Sequence, residues 1–166
     1  MADAPDLPRP SQLWKQLPPD KKALAADAFW RDDNAAAEQA EAIGAIAQRL
    51  KFRPKSVIAL PIEKKARYLL SIAGVSELLA ARLLVAYHLH HQRPMMGSFL
   101  DAVGIRHEEG LIADEDLQPP SADALVSAAA TLRGSYPEDA VTLYFSTLVW
   151  QDPETWGGLA ATLERQ

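Results

Sequence analysis

From Ser76 to His91 the chain reads SELLAARLLVAYHLHH, and this stretch constrains the fold more than any other. Wound as an α-helix it is apolar nearly all round, with Glu77 and Arg82 its only charges before the histidines. A helix without a polar face is a buried helix, so the rest of the chain must supply a shell around it. That shell is expected to be helical too. Alanine occupies 29 of 166 positions, aromatics make up 7%, and β-branched residues nowhere form an alternating run. These features predict an all-α fold: an irregular, orthogonally packed multi-helical bundle of about seven to nine helices, with no sheet.

Start and stop signals divide the chain. A Pro-rich arm over 1–10 precedes a helical core over 11–106, in which Ser11 is positioned to cap a first turn and Pro18, Pro19 and Asp20 to open a second helix. Asn34 is the expected cap of an amphipathic helix whose Ala42, Ile43, Ile46, Ala47 and Leu50 form one apolar stripe. Pro54 and Pro61 bracket a short helix or turn, followed by helices over 62–73 and 76–91 and a further one ending at Gly104. An acidic loop over 107–120 separates these from a C-terminal three-helix segment over 121–166, packed on the core in one compact domain. At this length a core is large enough to need no staples, and the chain has no cysteine for disulfides or thiolate chemistry. The opening MADAPDLPRP has acids and prolines where a signal peptide needs a basic start and an apolar run. No segment is long and apolar enough to span a membrane, so the expected location is cytoplasmic.

Charge is unevenly placed. From Arg49 to Arg106 ten Lys and Arg face three acids, a net of +7, whereas the remainder nets −12. Much of the excess sits at Lys51, Arg53, Lys55, Lys64, Lys65 and Arg67, just ahead of the small-residue turn Gly74, Val75, Ser76. Gly74 suits a left-handed helix end and Ser76 a helix cap. The stretch LLSIAGVSELLAARLL resembles a helix-hairpin-helix element, with Ile72, Gly74 and Val75 matching its turn, and AGVS resembles the turn of a helix-turn-helix. The first resemblance implies that amides at the start of the following helix meet a phosphate. Ala73 and Ser76 stand where that family has proline and a second glycine.

In HLHHQR, His88 and His91 have helical i,i+3 spacing, and His107, Glu108 and Glu109 are the candidate companions for a metal. The position at a helix C-terminus equally suits capping of terminal carbonyls, and no metal or other cofactor is assigned. No nucleophile elbow, phosphate loop or paired-histidine zinc motif occurs, and no catalytic set is assigned. Trp14, Trp30, Trp150 and Trp156 are expected to anchor the core. The function expected is that of a nonenzymatic protein-interaction or scaffold module, with a protein partner or self-association. The alternative is a nucleic-acid-binding protein using the hairpin-like turn and the basic segment before it.

Overall fold

The computed structural model describes residues 7–113 and 117–163. Part of the expected N-terminal arm, the centre of the acidic loop and the last three residues therefore lie outside the described residues, as does the side chain of Val75. The chain is all-α, as its composition requires. Seven helices of 11–15 residues carry the architecture: α2 (Pro19–Arg31), α3 (Ala36–Leu50), α5 (Ile62–Ile72), α6 (Glu77–His91), α7 (Arg93–Val103), α8 (Ala122–Ser135) and α9 (Glu138–Gln151). Shorter ones, α1 (Pro10–Gln16), α4 (Pro54–Ile58), α10 (Pro153–Trp156) and α11 (Ala160–Leu163), punctuate them. One small addition is a two-stranded antiparallel ladder, β1 (His107–Glu108) and β2 (Leu111–Ile112), pairing His107 with Ile112 and Glu108 with Leu111.

The chain divides into two compact units, Arg9–His90 and the remainder. In the first, α2 packs along α5, α3 packs on α4 and α5, and α1 packs on the 3-10 turn Ala73–Val75 that joins α5 to α6. Its core gathers Trp14, Phe29, Ile46, Val57, Leu69 and Leu83, all buried. Proline opens α1, α2 and α4, supplying the fixed φ that a first helical turn accepts. In the second unit α7 packs on α8, and α9 packs on α8, α10 and α11. Phe99 stands at the centre of an aromatic cluster, with ring centroids 5.1 Å from Phe145, 5.6 Å from Trp156 and 5.7 Å from Tyr144.

Several caps follow the sequence, and others do not. Ser76 Oγ accepts from the Leu79 amide at 3.2 Å, Ser121 Oγ from Ala124, and Gly104 closes α7 in the left-handed region at φ 76°. Ser11 lies inside α1 rather than capping it; the Arg9 amide donates to the Gln12 side chain at that helix start. Helix α3 begins two residues beyond Asn34, with Ala35 at the cap position, and the Asn34 backbone amide donates to Asp32 Oδ1 in the turn before it. Gly74 sits in the 3-10 turn without positive φ, because α5 tightens into that turn instead of ending in a left-handed residue. Trp14, Trp30 and Trp156 are buried, but Trp150 is 42% exposed at the end of α9.

Candidate functional site

The site is built on the first unit, where α3 and the start of α6 face each other. Helix α3 turns Ala42, Ile46 and Ala47 inward, which leaves Glu41, Ala45, Gln48 and Arg49 on the flank toward α6. Helix α6 is buried through Leu79, Ala80, Leu83, Leu84 and Tyr87, yet Leu78 in its first turn is 49% exposed. This departs from the burial on all sides that the sequence predicts.

Between these two helices lies an open groove of about 650 Å³. Ala42, Ala45, Leu50, Ile72, Leu78 and Leu79 give it apolar walls. Arg49, Gln48 and Ser76 add polar edges, and an ion pair between Arg82 and Glu41 ties α6 to α3 across it. The α3 positions that line it, 41, 42, 45, 48, 49 and 50, follow helical spacing and extend about 13 Å along the axis. A groove of this length accommodates roughly two turns of a second helix.

The residues singled out from sequence are distributed over the end of α3, α4, α5 and the turn before α6. Lys51 ends α3 at φ 58°, Arg53 caps α4, and Lys55 lies on α4, all exposed. Lys64 and Arg67 are exposed on α5, whereas Lys65 lies half-buried with its ammonium 5.1 Å from the centre of the Trp30 ring. That cation–π contact gives Lys65 a structural role. Gly74, Val75 and Ser76 lie at the far end of α5, about 10 Å along the chain axis beyond Arg67. The turn packs on α1, its cap is completed by Ser76, and Glu77 places a carboxylate in the first turn of α6. A carboxylate there takes the place at the positive helix end that a phosphate would otherwise favour.

The histidines likewise serve separate local roles. His88 is buried, and its Nδ1 donates to the Leu84 carbonyl at 2.8 Å; burial pushes its pKa down to about 4, so the ring is neutral. His91 is exposed at the last residue of α6. In the second unit, His107 Nδ1 accepts from the Gly110 amide at 3.0 Å, which assigns the proton to Nε2, and Nε2 donates to Asp101 at 2.7 Å. Both ring nitrogens are thereby committed to holding the β1–β2 turn on α7. Among the described residues no group of three or more His, Asp or Glu is arranged to hold a metal, and no described helix is long and apolar enough to cross a membrane.

No family model, curated protein or solved structure matches the chain. The groove is not apparent from sequence. Its signal there is the exposed flank of α3, Glu41, Ala45, Gln48 and Arg49, where a small alanine between polar residues leaves room for an apolar visitor.

Proposed function

We propose that this chain is a nonenzymatic interaction module that receives an amphipathic helix of a partner protein in the groove between α3 and α6. The observation that carries the reading is Leu78, a large apolar side chain half-exposed in a groove whose other walls are also apolar. Charge selects the partner's flank: the unit Arg9–His90 holds 13 Lys and Arg against 8 Asp and Glu, a net of +5. Arg49 stands at the groove itself, where it favours an acidic residue beside the visiting apolar face, while Arg82 is paired with Glu41. The partner helix therefore carries apolar anchors at i, i+3 or i+4 and i+7, with Asp or Glu alongside.

Panning the full chain against a displayed library of amphipathic helical peptides tests this. The reading expects selected peptides with apolar anchors at helical spacing and acidic flanks, bound by the wild type and lost with Leu78→Glu. Selected peptides that are basic, or that bind Leu78→Glu equally well, contradict it. Selective uptake of small apolar molecules without any peptide binding points to a ligand pocket instead and overturns the partner-helix reading.

A further inference from the structure

The second feature of the first unit lies where α3 ends and α4 begins. Phe52 meets Tyr68 of α5 edge to face, with ring centroids 6.1 Å apart and planes at 81°. Phe52 remains 42% exposed and leaves part of its ring open to solvent. Its chain neighbours Lys51 and Arg53 are exposed cations; Lys64 stands one helical turn before Tyr68 on the same face of α5, and Arg67 is a further exposed cation on that helix. Two other arginines pair with carboxylates, Arg31 with Asp27 and Arg133 with Glu138, whereas among the described residues Arg49 on the flank of α3 does not. None of Lys51, Arg53, Lys64 and Arg67 makes an ion pair or side-chain hydrogen bond among the described residues.

Backbone geometry adds an independent sign. Lys51 holds φ 58°, a conformation that glycine takes at no cost and that a lysine occupies under strain. The turn it makes carries Phe52 onto Tyr68, and the Phe52 amide closes it by donating to the Ala47 carbonyl at 2.9 Å. A cation thus stands at a position where backbone energetics favour glycine, beside an exposed aromatic ring.

We propose that Phe52 and Tyr68, with Lys51, Arg53, Lys64 and Arg67 around them, form a stacking platform for single-stranded nucleic acid. Unpaired bases present flat faces that stack on exposed aromatic rings, while the cations meet the phosphates between them. A duplex hides those faces, so it is the poorer ligand. The chain's overall charge of −5 does not oppose this at physiological salt, where distant charges are screened over about 8 Å and the local cations dominate. The platform is separate from the hairpin-like turn at Gly74 and does not depend on the groove beside Leu78.

The test is fluorescence anisotropy of short labelled oligothymidylate and oligouridylate with the full chain, from low to physiological salt. Binding is expected to fall steeply as salt rises and to exceed that of a duplex of equal length. Phe52→Ala is expected to weaken it about tenfold with little change in salt slope. Replacing Lys51 and Arg53 by Gln is expected to flatten the slope by about 0.7 for each phosphate no longer neutralised. Phe52→Trp keeps the ring, and its fluorescence is expected to be quenched on binding; this variant and far-ultraviolet circular dichroism separate loss of stacking from loss of the fold. Leu78→Glu is expected to bind as the wild type does. No binding by the folded wild type, a duplex bound as well as a single strand, or full binding by Phe52→Ala overturns the proposal. So does preferential binding of a polyglutamate peptide, or loss of oligonucleotide binding in Leu78→Glu.

Discussion

Glu77 accepts two hydrogen bonds from Ser11, one from its amide at 2.9 Å and one from its hydroxyl at 2.6 Å. Residues 66 positions apart in the chain thus join the start of α1 to the start of α6. The Ser11 hydroxyl, then its amide, hold the Glu77 carboxyl below its usual pKa. A carboxylate with a lowered folded-state pKa contributes stability that is present above its unfolded value and lost as pH falls through the folded one. Glu77→Gln is therefore expected to lower the urea midpoint at neutral pH, with the gap to the wild type closing in acid. A gap that is absent at pH 7, or that widens in acid, contradicts this role.

Gly74→Ala tests whether the small-residue turn needs glycine. Gly74 has no positive φ, and an added Cβ would meet Lys15 Cε at an ordinary 3.7 Å. The substitution is expected to be neutral or to stabilise by about 0.4–1 kcal/mol, through the reduced freedom of the unfolded chain. Gly110→Ala is expected to destabilise by more than about 1 kcal/mol, because φ is 89° and the new Cβ would lie 3.0 Å from the Arg93 carbonyl oxygen and Met96 Cβ. Denaturant midpoints of the two variants, measured side by side, decide the matter.

Much of this fold is legible in the order of residues, and the reasons are local. The boundaries of α6, the Ser76 cap and the Gly104 stop rest on interactions within a few residues, so the sequence declares them. Ser11 and Asn34 look like caps by the same logic, but Ser11 is drawn to a carboxylate 66 positions away and Asn34 lies in the turn before α3. The basic segment is visible as composition; that Lys65 lies over Trp30 and that Phe52 meets Tyr68 depends on how α2, α3 and α5 pack. The groove is hidden for the same reason, since a half-exposed Leu78 is indistinguishable from Leu79 until the neighbours of α6 are in place.

Two leucines of α6 separate core from surface. Leu83 is fully buried, and Leu83→Ala is expected to cost about 2–5 kcal/mol, whereas Leu78→Ala is expected to stay within about 0.5 kcal/mol. Chemical denaturation of both variants checks this. Equal losses at the two positions contradict the division of α6 into an enclosed body and an open first turn.

His88 gives the chain a second pH dependence, of distinct origin. Its ring is neutral when folded, with a pKa of about 4 against an ordinary 6.5, and desolvation is the principal cause. Between those values the unfolded chain binds the additional proton, so stability falls as pH drops from 6.5 toward 4 and this contribution levels off below. The loss across that window is on the order of 3 kcal/mol. His88→Gln, which does not titrate, is expected to lack this component when urea midpoints are followed from pH 7 to pH 4. The same slope in wild type and variant contradicts the assignment.

The absence of cysteine permits one direct measurement of the groove, because Leu78→Cys creates a single thiol. The thiol is expected to react rapidly in the folded chain. Labelled with an environment-sensitive fluorophore, it is expected to shift to the blue, saturably, when an amphipathic helical peptide with acidic flanks is added. The same peptide with its acids replaced by Lys is expected to bind more weakly. A thiol that reacts only after unfolding, or a fluorophore indifferent to the peptides, contradicts the proposal that the groove between α3 and α6 receives a partner helix.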